Sequence, residues 1–265
     1  MTGIGTYTKE LIKHLLQIDK TNHYTIFSIK SPFPSENLPF SCPDGENVSY
    51  RSFVFPYRYL NILWNNFHLF PIEKFLGKAD ILHSLDRRAP FTKSAKVIIT
   101  IHDMSWYVFG PSAAGKGLLH KQIIETLKRS SAVITISEFS KSEIVKYLPF
   151  VSGKLYVIPY GVSDRFYPLD KKQISEDIHK KYPWDDYILY LGMLDEPRKN
   201  VELIVASYAA LKKRKKIRER LVLCGSISGY SKYSRDLLRF IKKINLPNDI
   251  IVYPHWIPND FAPYI

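Results

Sequence analysis

The residues best suited to chemistry are a basic pair, Arg198 and Lys199, at the start of a predicted helix. Asn200 follows as a predicted N-cap, and the apolar spacing after it predicts a helix that packs on a sheet. Because a helix N-terminus carries unpaired N–H groups and partial positive charge, two added cations favour an anionic ligand there, such as a phosphate or diphosphate. A solvated basic pair is the alternative, and the local pattern leaves both interpretations open.

A second candidate is the pair His102 and Asp103, which directly follows the apolar run KVIITI at 96–101. Ligands of open parallel sheets bind at the carboxyl ends of the strands. A histidine there can hydrogen-bond a sugar hydroxyl or move a proton, and Asp103 can orient the imidazole or accept a proton itself. A His-Asp pair in a loop also suits a structural role, but its place at a strand end favours a functional one.

Other strand ends offer secondary contacts. Ser137 and Glu138 begin a helix after a buried strand, and both residue types suit a helix start, so we expect a scaffold role first and ligand contact second. Gly161 belongs to a tight turn after the strand that Pro159 stops, and Gly192 ends a buried strand. All four would lie at the edge of a cleft.

The chain begins with a glycine turn, TGIGT, which opens a helix with an apolar face. A glycine turn of this kind usually follows a strand. No strand precedes it here, so either the first strand lies outside this chain or the turn is an N-terminal arm. We favour the first interpretation.

Alternating strand and helix patterns predict an α/β fold with parallel sheets. The predicted strands are 24–29, 48–55, 81–84, 96–101, 132–136, 155–158, 187–191, 221–224 and 249–253. The pattern lapses between 160 and 186, where prolines and charges mark a boundary. We therefore predict a first domain at 1–165, a linker at 166–186 and a second domain at 187–265, whose three strands make a thin and incomplete sheet.

Composition excludes some classes of protein. The chain has 265 residues, 45% of them hydrophobic, and a net charge of +13, so it is globular and favours anionic partners. The two cysteines, Cys42 and Cys224, form no disulfide framework or zinc cluster and suit a reducing cytosol. No apolar run approaches the ~20 residues that span a bilayer, and no signal-peptide core is visible. We expect a cytoplasmic protein.

Two segments bear on surface partners. The segment 57–76 is rich in aromatic residues and predicts a helix that Pro71 interrupts or kinks. We prefer an ordinary packed helix, and the alternative is an amphipathic surface that meets a lipid or an oily acceptor. The run KKRKKIRER at 212–220 predicts a solvated helix end. An acidic membrane surface is the second interpretation of this run, and nucleic acid ranks below it because no recognition fold accompanies it.

Five segments in order resemble the family-4, or group 1, glycosyltransferases of the GT-B fold. They are Gly3–Thr8, Ile99–Asp103, Ile134–Lys141, Val157–Val162 and Leu189–Asn200. Each motif is weak alone, but together, each on the expected element, they are fairly specific. One departure is Tyr160, which stands where the family's turn usually has asparagine.

The resemblance implies two Rossmann-like domains that face a cleft, and sugar transfer from a nucleotide-diphosphate donor with retention, usually without a metal ion or another cofactor. It implies that Arg198 and Lys199 hold the donor diphosphate, and that Gly3 and Gly5 let a backbone approach the phosphates. His102 would contact the donor sugar or the acceptor, with Asp103 supporting it. The N-terminal half would bind a glycan or lipid-linked acceptor.

The departures from the family concern the two ends. The first strand and the later donor-domain strands, with their glutamate pair, are not in this sequence. We therefore expect a chain truncated at both ends, with weak or absent activity. The competing interpretations are an inactive phosphate-binding or interaction protein and a basic nucleic-acid binder, of which the last ranks lowest.

Overall fold

The computed structural model describes residues 3–30, 46–109, 117–164, 166–167, 180, 186–227 and 232–254. The chain divides into two compact units, residues 1–161 (unit 1) and 162–265 (unit 2). Most of the predicted linker at 166–186, and the last helix expected near Asn259, lie outside the described residues. No helix in the described part of the chain has the length and apolar character needed to cross a bilayer.

Unit 1 alternates helices and strands, as the periodicity predicted. Its described elements are α1 Gly3–Ile18, β1 Tyr24–Lys30, β2 Val48–Val54, α2 Tyr57–Asn65, α3 Glu73–Leu76, β3 Ile81–Ser84, β4 Lys96–Thr100, α4 Ser105–Val108, α5 Leu118–Arg129, β5 Ala132–Thr135, α6 Glu138–Tyr147 and β6 Leu155–Val157. The strands form a parallel pair, β1-β2, and a four-stranded parallel sheet in the order β3-β4-β5-β6.

The main core of unit 1 lies between the four-stranded sheet and its helices. Ile99 on β4 and Val133 on β5 are fully buried, together with Ile123 and Leu127 of α5 and Ile144 of α6. Strands of a parallel sheet covered by helices are continuous apolar runs, which explains the sequence KVIIT. The packing fixes the carboxyl ends of β4, β5 and β6 along one edge of the sheet.

The aromatic segment 57–76 is interrupted, as predicted, but the break spans 66–72 and so begins well before Pro71. Helix α2 ends at Asn65, and His68 and Phe70 adopt left-handed backbone conformations with φ of 52° and 54°. The indole N–H of Trp64 donates to the carbonyl of Phe70 at 2.8 Å, which folds the loop back under the helix. The sequence pattern therefore predicted the element but misplaced its end.

Unit 2 is smaller and follows the same plan. Its described elements are β7 Tyr187–Leu191, α7 Val201–Lys213, β8 Arg220–Cys224, α8 Lys232–Ile244 and β9 Ile250–Tyr253. The strands form a parallel sheet in the order β7-β8-β9. Val205 of α7, Leu223 of β8 and Leu237 of α8 are fully buried in its core.

The basic run at 212–220 begins in the last turn of α7, which ends at Lys213, and continues through the loop that leads into β8. Lys213 and Lys216 are exposed, as expected for a solvated helix end. Lys212 differs from them, because its ammonium lies 2.7 Å from the carboxylate of Asp249 and donates to the carbonyl of Arg218 at 2.9 Å. This lysine ties the end of α7 to the segment that leads into β9.

Candidate active site

His102 lies just past the end of β4, and residues from two other strand ends contact its imidazole. Nδ1 contacts the hydroxyl of Tyr160, which follows β6, and Nε2 lies 3.3 Å from the carbonyl oxygen of Leu85, which follows β3. Three strand ends of one sheet thus converge on a single side chain. The sequence predicted His102 as a site residue, but it did not predict either partner.

Tyr7 brings helix α1 to the same place. Its ring lies 5.1 Å from the imidazole of His102, edge to face, and 4.9 Å from the ring of Tyr160. We call Tyr7, Leu85, His102 and Tyr160 the His102 site. The sequence did not predict a role for Tyr7, because only the tertiary packing brings α1 close to the end of β4.

The glycines before Tyr7 are not in a separate turn. Gly3 and Gly5 lie in the first turn of α1, which already begins at Gly3. A Cβ atom added to Gly3 would meet nothing within 4 Å, so the packing of unit 1 does not demand a glycine there. The helix N-terminus with its backbone N–H groups begins one turn before Tyr7, whose ring packs on the imidazole of His102.

Asp103 lies two residues before the short helix α4, which follows the site. Its carboxylate accepts hydrogen bonds from the backbone N–H of Ser105 at 2.8 Å and from the Ser105 hydroxyl at 2.5 Å. Trp106 donates its indole N–H to the carbonyl of Asp103 at 3.1 Å. Asp103 therefore shapes the loop after His102, while the ring nitrogens of His102 meet Tyr160 and Leu85.

Ser137 is the N-cap of α6, as the sequence predicted. Its hydroxyl oxygen accepts from the backbone N–H of Ser140 at 3.0 Å. The hydroxyl of Ser140 donates in turn to the carbonyl of His102 at 3.3 Å, a link that the sequence did not predict. Glu138 is exposed beside Lys141 at 3.6 Å. Gly161 is exposed at the end of unit 1 and has open space around it.

In unit 2 the predicted phosphate-binding pair stands on residues 192–200, which we call the basic loop. Pro197–Lys199 form a 3-10 helix, and Asn200 adopts a left-handed conformation with φ 49° and ψ 47°. The prediction that Asn200 caps the helix with its side chain is wrong, because that side chain makes no capping hydrogen bond and the chain enters α7 through a left-handed residue. Arg198 and Lys199 are both exposed, and Nε of Arg198 donates to Glu196 at 2.8 Å.

Backbone contacts hold the basic loop against the loop after β8. Gly192 donates its N–H to the carbonyl of Cys224 at 2.9 Å, and Leu194 donates to the carbonyl of Ser226 at 3.0 Å. Gly225 has φ 151°, and a Cβ atom there would lie 1.6 Å from the carbonyl oxygen of Gly192. Glycine is therefore required at 225, where the sequence shows only a glycine after a strand.

Burial changes the ionisation of several groups near these edges. Burial raises the pKa of Tyr160 to about 12, and the neighbouring Tyr7 and Asp103 act in the same direction. Burial also lowers the pKa of His83, whose Nε2 lies 2.9 Å from the hydroxyl of Thr100 beside the site. The thiol of Cys224 is fully buried, which raises its pKa to about 11.

The first turns of α7 and α8 are joined by a tyrosine and a carboxylate. The hydroxyl of Tyr233 donates to Glu202, and burial, followed by this hydrogen bond, raises the pKa of Tyr233 to about 12. Within the described ranges, no three His, Cys, Asp or Glu side chains are grouped so that they could hold a metal ion. The polar groups described at the two edges are hydroxyls, imidazoles, carboxylates and a cationic pair.

Comparison with known proteins assigns the chain to a family. The model of Glycosyltransferase Family 4 matches residues 1–166, which is more than half of the chain. O-antigen chain mannosyltransferase B of Escherichia coli is 23% identical over 274 residues, which cover 100% of this chain and 70% of that protein.

Solved structures show the fold. Sucrose-phosphate synthase from Thermosynechococcus elongatus has a TM-score of 0.66 at 16% identity, covering 99% of this chain and 67% of that one. Anabaena HepE in complex with UDP and glucose has a TM-score of 0.64 at 13% identity, covering 99% of this chain and 68% of that one. The predicted α/β fold of the GT-B type is confirmed, and the chain belongs to glycosyltransferase family 4.

Proposed function

We propose that this protein acts in the transfer of a sugar from a nucleotide-diphosphate donor to a glycan or lipid-linked acceptor. Family membership supports the reaction class. The relative named as an O-antigen chain mannosyltransferase supports a mannosyl donor as the first to test. HepE, whose structure contains UDP and glucose, shares the fold and supports a nucleotide sugar as the donor.

The observation that carries the proposal is the exposed cationic pair on an anchored loop. Arg198 and Lys199 are exposed on a loop whose backbone is fixed by Gly192 and Leu194. A guanidinium fork and an ammonium at this position complement a diphosphate. They also oppose the negative charge that develops on the leaving nucleoside diphosphate, which is the main electrostatic demand of the reaction.

Unit 1 supplies the other proposed groups. His102 contacts the donor sugar or the acceptor, and Gly3 and Gly5 provide a helix N-terminus without side chains for the phosphates. Asp103, Ser137, Glu138 and Gly161 shape the surrounding loops, and Gly192 anchors the basic loop. No cofactor beyond the nucleotide sugar is part of this proposal.

The test is donor binding by calorimetry, with UDP- and GDP-sugars as the panel. Arg198→Ala and Lys199→Ala each remove a charge-assisted contact and should weaken binding by about tenfold to a hundredfold. Lys213→Ala removes an exposed cation at the far end of α7 and serves as the matched control, with unchanged affinity. Equal affinity in all three variants would refute the proposal.

A transfer assay on the same protein decides between turnover and binding alone. Release of the nucleoside diphosphate together with a glycosylated acceptor supports the enzyme. Donor binding without transfer supports the competing role, a phosphate-binding protein without turnover. Binding to DNA that falls steeply with salt, with no donor binding, would support the basic nucleic-acid binder instead.

We also propose that unit 1 touches an acidic membrane through the loop after α2. Phe67, Leu69 and Phe70 are all exposed in this loop, and the ammonium of Lys74 lies 5.6 Å from the ring of Phe70. His68 and Phe70 in this loop adopt left-handed backbone conformations, which are unfavourable for residues other than glycine. Exposed aromatic side chains next to a lysine, on a chain of net charge +13, suit an anionic lipid surface.

Sedimentation with vesicles tests the membrane contact. The protein should bind vesicles that contain phosphatidylglycerol, and the double variant Phe67→Ser and Phe70→Ser should lower the partition coefficient by about tenfold. Phe150→Ser, which changes an exposed phenylalanine elsewhere in unit 1, is the control. If control and double variant bind vesicles equally, this loop is not the contact.

A further inference from the structure

Each ring nitrogen of His102 contacts one protein group, a backbone carbonyl or a hydroxyl, whose ability to donate or accept a hydrogen bond is known. Nε2 lies 3.3 Å from the backbone carbonyl of Leu85, and a carbonyl oxygen can only accept a hydrogen bond. The proton of this contact therefore belongs to Nε2. In a neutral imidazole Nδ1 then carries a lone pair and must accept.

The partner of Nδ1 is the hydroxyl of Tyr160, which can donate. Burial raises the pKa of Tyr160 to about 12, so this hydroxyl keeps its proton at every pH near neutrality. The chain of donors therefore runs from Tyr160 to His102 and from His102 to Leu85. The ring of Tyr7 packs edge to face against the imidazole at 5.1 Å and limits its rotation.

We infer that Tyr160 is a positioning residue, whose hydroxyl fixes His102 as the tautomer with the proton on Nε2. His102 then meets a ligand as an N–H donor and not as a general base. A contact of 3.3 Å is long for N–H···O, so an oxygen atom of a bound sugar or phosphate can compete with Leu85 for the same proton. The consequence for catalysis rests on the proposed function, whereas the tautomer does not.

The residue at this position makes the inference specific to this chain. Tyr160 follows Pro159 in the turn after β6, where the resembling motif usually has asparagine. A tyrosine brings both a hydroxyl for Nδ1 and a ring that packs on Tyr7 at 4.9 Å. Tyr160 thus supplies a hydrogen-bond partner for Nδ1 of His102. It does so from the end of β6, which is separated in the sheet from β4, the strand before His102, by β5.

The first test is the nitrogen spectrum of the imidazole in the uniformly labelled full-length protein, without any substrate. Long-range proton–nitrogen correlations distinguish the two tautomers, and His102→Gln identifies the signals by removing them. The wild type should show the proton on Nε2. Tyr160→Phe keeps the ring and removes the donor, so the population with the proton on Nδ1 should rise.

The control is Tyr156→Phe, which removes an exposed hydroxyl on the adjacent strand β6 and should leave the His102 signals unchanged. An unchanged His102 spectrum in Tyr160→Phe overturns the inference. So does a wild-type spectrum with the proton on Nδ1. Circular dichroism confirms that each variant is folded before its spectrum is interpreted.

The second test is kinetic. With donor and acceptor supplied, Tyr160→Phe should lower kcat by about tenfold, the value of one lost hydrogen bond, and change KM for the donor far less. An unchanged kcat alongside a shifted tautomer would overturn the catalytic part of the inference. Absence of turnover in the wild type, with the expected tautomer shift, would refute the proposed function and leave the positioning role supported.

Discussion

The two sheets of this protein present their carboxyl edges in different ways. At the edge of unit 1, side chains contact one another, and the imidazole of His102 is held by Tyr7, Tyr160 and the carbonyl of Leu85. At the edge of unit 2, backbone packs on backbone, and the side chains of Arg198 and Lys199 are exposed. One edge has a fixed side chain, and the other has a fixed loop with adaptable side chains.

This difference matches the demands of the proposed ligands. A group that donates one directed hydrogen bond to a sugar gains from a fixed orientation. A diphosphate is charged and has many equivalent oxygens, so long cationic side chains can reach it from several rotamers, although ordering them on binding costs conformational entropy. A rigid loop beneath those side chains limits that cost to the side chains alone.

The substitution with the largest expected effect is Gly225→Ala, which disrupts the backbone packing between Gly225 and Gly192 at the edge of unit 2. The new Cβ atom would lie 1.6 Å from the carbonyl oxygen of Gly192, a backbone atom that cannot move aside alone, and φ at 225 is 151°. We expect a loss of about 3 kcal/mol in the free energy of unfolding, and weaker donor binding because the basic loop shifts. Denaturant unfolding and donor calorimetry measure the two effects.

Two other glycines calibrate that result. A Cβ atom on Gly192 would lie 3.0 Å from the hydroxyl of Tyr190, the far end of a side chain, so Gly192→Ala should cost much less. Gly153→Ala in unit 1 meets nothing within 4 Å and should be close to neutral. Equal stability of all three variants would show that the backbone contact at 225 does not hold the loop.

A smaller effect is the pH dependence of the free energy of unfolding that a histidine of unit 1 contributes. His83 in unit 1 is buried, which lowers its pKa below the ordinary value of 6.5. The unfolded chain binds a proton near pH 6.5 and the folded chain does not, so the stability present above that pH is lost as the pH falls toward the folded pKa. We expect a slope of up to about 1.4 kcal/mol per pH unit as the pH falls below 6.5, measured by denaturant unfolding.

His83→Gln should reduce this slope, without abolishing it, because burial lowers the pKa of His120 in unit 1 as well. His14→Gln, at an exposed position on α1, is the control and should keep the wild-type slope. A slope that does not change in His83→Gln would mean that His83 is not the group that senses acid.

Local patterns in the sequence predicted most of the fold. Buried parallel strands are continuous apolar runs, so β4 and β7 were recognisable, and Ser137 was recognisable as a cap because its partner, Ser140, is three residues away. The end of α2 and the turn at Asn200 were missed. In both places left-handed residues other than glycine redirect the chain, and such conformations have no dependable signature in sequence.

The sequence predicted single residues of the candidate site but not the contacts between them. His102, Arg198 and Lys199 were recognisable from their types and their places after strands. The contact between His102 and Tyr160 joins residues 58 apart in the chain, and Gly225 is required only because Gly192 lies against it. Contacts of that kind arise from the order of strands in a sheet, which a pattern along the chain does not contain.

The buried thiol of Cys224 has a practical consequence. It ends β8 directly before Gly225, has no exposed surface, and its raised pKa keeps it protonated. A protonated, inaccessible thiol does not react with alkylating reagents. The rate at which Cys224 becomes labelled therefore reports how often unit 2 opens locally, and a nucleotide sugar bound at the basic loop, as proposed, would lower that rate.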